Sequence, residues 1–383
     1  MKNILRFSVA TVASMLLIAV GVVVYMGCDG NAIVQAPETT YGRNLLEADE
    51  YRPVESATAA ESSVVYFTKN ITPEGLRAVY GALNLTPGAG AKVAVKLSTG
   101  EPPNSNYLRA TLIRDFIQSL SPTVNIVECN TVYPGTLRGT TREHRQVIID
   151  HGFAAIAPTV IMDSAGSLSI PVARVSGVTR HLDSNYVGKA FANYDYYVVL
   201  SHFKGHAMAG LGGAIKNISI GIGSTEGKCW IHTAGKSKTS FSGGAQNDFQ
   251  ESMAEAGKAV VDHLKNRNGK ILYINVMNKL SIDCDCFGNP TAVDMNDIGI
   301  LSSLDPVALD QACVDLVKKA TDGRNLVNRM AEKNGYLMVS HGAKIGLGSQ
   351  TYKVVNLDDN STSIKIPGRQ APAAAAMCEL RPK

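Results

Sequence analysis

Chemistry in this chain concentrates in one stretch, Ser201-His202-Phe203-Lys204-Gly205-His206, followed by Gly210-Leu211-Gly212-Gly213-Ala214-Ile215-Lys216-Asn217. Histidine exchanges protons near neutral pH and ligates metals, so His202, His206 and the intervening Lys204 are candidate catalytic groups. Glycines interleaved with cations suit an anion, because backbone amides can approach it closely while ammonium groups balance its charge. Gly212, Gly213, Lys216 and Asn217, joined by Lys228 downstream, are the candidate anion-binding residues. The glycine spacing is too compressed for G-x-G-x-x-G and lacks a Walker pattern, so neither a dinucleotide nor a P-loop nucleotide is implied. The plainer alternative is a set of tight turns with two satisfied core histidines. His202 and His206 are four apart and would share a face if the segment is helical.

A second cluster is Asp283-Cys284-Asp285-Cys286. Two thiols and two carboxylates mix soft and hard metal donors. On extended chain alternate side chains point oppositely, so Cys284 and Cys286 share one side and the aspartates the other. His202, His206, Cys284 and Cys286 are therefore the candidate ligands of a transition-metal ion. C-x-C is not the C-x-x-C of zinc knuckles or thioredoxin-like sites, and a disulfide or two unligated thiols remain open.

These clusters need a frame, and the apolar pattern supplies one. Buried runs at Val64–Phe67, Val93–Leu97, Val124–Glu128, Thr159–Met162, Tyr196–Ser201 and Ile271–Val276 alternate with amphipathic stretches, which predicts parallel βαβ units. Thr72-Pro73-Glu74 opens a helix running to about Leu83. Asn247 to Lys265 forms the longest helix, another follows Asp305-Pro306, and another spans Arg324 to Lys333. The expected fold is α/β, a mostly parallel, doubly wound sheet with helices on both faces. Both chemical clusters follow strands, and in such sheets ligands bind beyond the strands' carboxyl ends.

Ahead of this domain, Lys2 and Arg6 precede an uncharged run from Phe7 to Met26. Its length matches a bilayer's hydrocarbon core, with basic residues on the cytoplasmic side. Two readings stay open: an uncleaved anchor, or a lipoprotein signal ending at Met26-Gly27-Cys28. Either places the protein outside the cytoplasm, periplasmic or on the cell surface, tethered to the membrane by its N-terminus. Residues 1–28 are thus a signal or anchor, 29–63 a linker, 64–360 the α/β domain and 361–383 a C-terminal tail. With 37 basic residues against 33 acidic ones the charge is near balance, so no nucleic-acid partner is implied. Seven cysteines, unevenly spaced, do not form a disulfide scaffold.

Taken together, the motifs resemble the iron–sulfur-centre family catalogued as domain of unknown function 362, in particular its exported bacterial members. The resemblance rests on Val127-Glu128-Cys129-Asn130-Thr131, on the His202–Asn217 segment and on Asp283-Cys284-Asp285-Cys286. Asp297-Ile298-Gly299-Ile300, Asp305-Pro306-Val307-Ala308-Leu309-Asp310 and Lys344-Ile345-Gly346-Leu347-Gly348 add to it. Many members carry a ferredoxin-like insertion with four cysteines. This chain has no cysteine between His232 and Asp283, so no ferredoxin-type four-iron cluster is expected. The order His206, Gly210, Gly212-Gly213, Lys216 is also similar to a segment of nickel-pincer lactate racemases, with a different spacing to the lysine. The function expected is metal-dependent redox or acid–base chemistry on a small anionic ligand, by an oxidoreductase or isomerase. The alternative is a non-catalytic binding protein for an anionic solute, which needs the cations but no metal.

Overall fold

The computed structural model describes Val23–Met26, Ala32–Gln35 and Ser63–Lys365. Strands β1 (Val23–Met26) and β2 (Ala32–Gln35) form an antiparallel hairpin in a compact unit of their own. The end of the apolar run is therefore strand, as is part of the expected linker. Phe7–Val22 and Cys28 lie outside the described residues, and among those described no helix is long and apolar enough to cross a membrane.

The second unit begins with β3 (Ser63–Thr68), α1 (Pro73–Ala82), β4 (Val93–Lys96), α2 (Ala110–Leu120), β5 (Asn125–Glu128), α3 (Thr141–Asp150) and β6 (Thr159–Ile161). Thr72 caps α1 by accepting from the Gly75 amide, and Pro73 occupies its first turn. A hairpin, β7 (Ser167–Pro171) with β8 (Ser184–Gly188), leads to β9 (Tyr196–His202). Then follow β10 (Lys204–His206), β11 (Gly210–Gly212), α4 (Ala214–Ser219), α5 (Thr225–His232), α6 (Gln246–Lys265) and β12 (Lys270–Met277). The chain closes with β13 (Gly299–Ser303), α7 (Pro306–Lys319), α8 (Arg324–Glu332), α9 (Tyr336–Lys344), β14 (Tyr352–Asn356) and β15 (Thr362–Lys365).

One sheet runs β15-β14-β3-β13-β12-β9-β4-β5-β6. From β12 through β6 every pairing is parallel. The sheet is mostly parallel, as expected; the exceptions are β13, antiparallel between β12 and β3, and β15, antiparallel to β14. No helix crosses between β12 and β13, so the chain returns beside its own strand instead of over the sheet. The domain also outruns the expected end at residue 360, because β15 completes the sheet edge. Successive residues of β9 enter opposite cores: Tyr197 and Val199 join the cluster against α6 and α7, while Tyr196, Val198 and Leu200 join the one against α1 and α2. Both faces are thus covered, which is why the strand reads as an unbroken apolar run.

Candidate functional site

The parallel strands β4, β5 and β9 end at one edge of the sheet with Lys96, Glu128 and His202, all buried. Beyond that edge opens a cleft of about 280 Å³. Its lining includes every residue singled out from the sequence: His202, Lys204, His206, Gly212, Gly213, Lys216, Asn217, Lys228, Cys284 and Cys286. Their individual tasks differ.

The stretch after β9 is not helical. It folds as the hairpin β10–β11, with Lys204 opposite Gly212 and His206 opposite Gly210. Gly210 makes the return, at φ +75°. A side chain on Gly205 would lie 2.3 Å from the Ile282 carbonyl oxygen, so glycine lets β10 press against the chain leading into the Asp-Cys-Asp-Cys segment. There the Phe287 amide donates to the Cys284 carbonyl at 3.0 Å, closing a β-turn in which Cys284 and Cys286 are first and third. Both aspartates are ion-paired. Asp283 pairs with Arg329 at 2.9 Å, and Asp285 with Lys204 at 2.9 Å.

His206, Cys284 and Cys286 come together, one ligand-capable atom of each lying within 4.8 Å of the others. His202 does not join them. Its Nε2 donates to the Asn278 carbonyl at 2.6 Å and its Nδ1 lies 3.6 Å from Asp285 Oδ2. The expected four-ligand set is thus reduced to three residues, and their hydrogen bonds do not suit an ion. His206 Nδ1 accepts from the backbone amides of Met208 (3.1 Å) and Ala209 (2.9 Å), so the neutral ring carries its proton on Nε2, which faces Cys286 Sγ at 3.6 Å. An imidazole that ligates a metal has the reverse arrangement, its second nitrogen donating outward. A four-iron cluster does not fit either: it takes four thiolates, and the third cysteine lining the cleft, Cys129, is fully buried with its S–H on the Ile222 carbonyl at 3.3 Å.

The electrostatics separate the two neighbouring thiols. Burial and the adjacent Cys286 push Cys284 well up, and its S–H points at Asp285 Oδ1, 3.3 Å away. Its neighbour Cys284 and the N–H of His206, with the Lys216 charge behind them, hold Cys286 well below the ordinary thiol range. Burial and Lys216 lower His206, keeping it neutral. The pair sets the Cys286 sulfur against an imidazole N–H.

The amides that open α4 after the glycine-rich turn are taken by the protein itself. Gly213 abuts Asp310 so closely that an added Cβ would lie 2.3 Å from Asp310 Oδ1. That carboxylate accepts from the amides of Ala214 (2.7 Å) and Ile215 (2.9 Å), filling the start of α4 from within the protein. Asn217 is likewise a brace, donating to Ser201 Oγ and accepting from Lys96 Nζ, each at 3.0 Å. Lys228 Nζ donates to the Gly223 carbonyl at 2.6 Å. Lys216 differs: among the described residues its ammonium has no hydrogen-bond or ion-pair partner, and it faces the cleft.

Several groups of the cleft were not singled out from the sequence. Burial pushes the Lys96 ammonium down to about 8 against the attraction of Glu128. Glu128 accepts from Arg138 at 3.0 Å, from Thr99 Oγ1 at 2.6 Å, and lies 3.1 Å from His144 Nε2. Burial opposes its charge, yet His144 and Arg138 hold its carboxyl well below the usual range. Arg138 also reaches Glu101 at 2.9 Å and Tyr133, whose hydroxyl donates to the Cys286 carbonyl. The signal for Lys96 and Glu128 was present, since each charge closes an otherwise apolar buried strand.

No curated protein matches the chain. Among solved structures it is similar to the lactate racemase apoprotein from Thermoanaerobacterium thermosaccharolyticum (TM-score 0.33, 16% identity, 55% of this chain and 50% of that one). It is also similar to a protein from Thermotoga maritima (TM-score 0.35, 12% identity, 77% of this chain and 61% of that one). The chain thus spans half the length of the first and 61% of the second. The family model described as Domain of unknown function (DUF362) matches residues 93–315, the stretch that supplies every residue of the cleft named above, and the chain belongs to that family.

Proposed function

We propose that the cleft binds a small anionic ligand and carries out acid–base or nucleophilic chemistry on it, with Cys286 and His206 as the reacting pair. The observation that carries this reading is the pair of amides on His206 Nδ1, which leaves an N–H aimed at the Cys286 sulfur. A thiolate attacks or abstracts a proton, and the imidazole N–H stabilises the departing or developing anion by a hydrogen bond, its proton coming from water. Lys216, whose ammonium has no hydrogen-bond or ion-pair partner among the described residues, holds the ligand's charge. Lys204 is not that cation, since Asp285 already neutralises it. The uncharged run Phe7–Met26 supports placing this chemistry outside the cytoplasm, on a membrane-tethered protein.

The test uses two alkylating agents of nearly equal size, anionic iodoacetate and neutral iodoacetamide. Free thiols favour the neutral reagent. At pH 6 Cys286 should react readily and favour iodoacetate, and Lys216→Met should reverse that preference. Reaction only in the ordinary thiol range, with iodoacetamide faster in the wild type, would refute the reading. A stoichiometric metal in protein purified without chelators, lost in Cys286→Ser, would restore the metal-dependent alternative.

A further inference from the structure

The β-turn from Cys284 to Phe287 has a feature that anion binding does not use: it presents two thiols side by side at the cleft wall. The Cys286 amide lies 3.3 Å from Cys284 Sγ, and the two sulfurs are within 4.8 Å of each other. They are unequal in access. Cys286 is half-buried and opens to the cleft, whereas Cys284 is 5% exposed behind it. The remaining described thiols are out of play: Cys129 is bonded to the Ile222 carbonyl, and Cys229 and Cys313 are buried outside the cleft.

We propose that Cys284 and Cys286 form a dithiol–disulfide couple that reduces small disulfides carrying carboxylate groups, with Cys286 attacking and Cys284 resolving. The choice of a carboxylated substrate rests on the anion reading of the cleft; the couple itself does not. In the first step the Cys286 thiolate attacks one sulfur of the substrate disulfide. The substrate S–S bond breaks, a mixed disulfide forms, and the first thiolate leaves beside the His206 Nε2–H, which can hydrogen-bond to it, and takes its proton from water. Cys284 then loses its proton to water and attacks the Cys286 sulfur, expelling the second thiolate, which is protonated from water in turn. Two protein thiols are oxidised to one disulfide and one substrate disulfide is reduced to two thiols, so electrons and hydrogens balance. Its surroundings assign the attacking role to Cys286, which has the access, the imidazole and the nearby Lys216; the thiol donating toward Asp285 is the one held in reserve.

Glutathione disulfide is the probe, since each half carries carboxylates, and bis(2-hydroxyethyl) disulfide is its uncharged counterpart. Reduced full-length protein, acid-quenched and weighed intact, should lose two hydrogens, and peptide mapping of the wild type should locate the bond between Cys284 and Cys286. Cys284→Ser should stop at a single glutathione adduct on Cys286, and Cys286→Ser should react roughly tenfold more slowly or less. Wild type that stays reduced, or that keeps an unresolved adduct, overturns the proposal without needing any variant. Two further patterns separate it from the reading it builds on. A preference for iodoacetate without disulfide formation removes the couple and leaves the anion site. Equal rates with both disulfides remove the anion site and leave the couple.

Discussion

The Lys204 ammonium lies 2.9 Å from Asp285 Oδ1, and both side chains are buried, so the hairpin β10–β11 is clamped to the cysteine turn by an ion pair shielded from water. Burial alone would discharge both groups. Instead Asp285 raises the pKa of Lys204, and Lys204 with His202 holds Asp285 well down. Removing one partner strands the other charge, at a cost of about 3–5 kcal/mol. Lys204→Met should therefore lower the urea-unfolding free energy by that order, and adding Asp285→Leu should recover much of the loss. A double variant as unstable as the sum of both single variants would contradict the clamp.

Gly205 sets how closely the two halves of the site approach. A methyl group there would meet the Ile282 backbone at 2.3 Å, and backbone does not yield as a flexible side chain does. Gly205→Ala should push β10 away from the turn and separate His206 from Cys286. Its signature is a Cys286 alkylation profile moved toward ordinary thiol pH, with far-UV circular dichroism unchanged. An unaltered profile would show that the contact is not needed.

His232 contributes a pH dependence of stability. Burial, with His206 and Lys216 adding to it, lowers its pKa from 6.5 to about 3. Below pH 6.5 the unfolded chain takes up the proton and the folded one does not. The stability is therefore complete above pH 6.5 and falls as the pH drops toward 3, by up to about 1.4 kcal/mol per pH unit. Its ring stacks on Phe249 at 4.4 Å and its Nδ1 has no partner, so His232→Phe should keep the packing. Urea unfolding at pH 7 and pH 5 should show a smaller difference in the variant than in the wild type. Equal differences would rule out this role.

The N-terminal run makes a prediction of its own. Full-length protein should fractionate with membranes, while a chain beginning near Ser62 should be soluble. Full-length protein recovered in the cytosol would dismiss the tether.

Most of the sheet was legible because β9 and β12 are buried along most of their length, with apolar and aromatic runs at Tyr196–Leu200 and Ile271–Ile274. β13 was less so: Gly299–Ser303 is short, three of its five residues are serine or glycine, and its direction depends on the absent crossover after β12. At the site, residue types announced a cluster, and the cleft gathers them. Their tasks were hidden because they depend on partners distant in sequence. Nothing local says that Asp310 fills the start of α4, that Asn217 braces Lys96, or that two amides choose the tautomer of His206. The alternation argument for the cysteines assumed extended chain, and a β-turn brings the same two side chains together by another route.

Because Asp310 occupies the amides of Ala214 and Ile215, the start of α4 is closed to a ligand as an invariant main-chain grip. A phosphate cradle built from amides keeps its preference whatever side chains surround it, since no substitution removes a peptide N–H. Here selectivity is written in replaceable side chains, above all Lys216. Members of the family can therefore share this backbone and diverge in what they accept, and exchanging a few cleft residues between two of them should transfer ligand preference without rebuilding the fold.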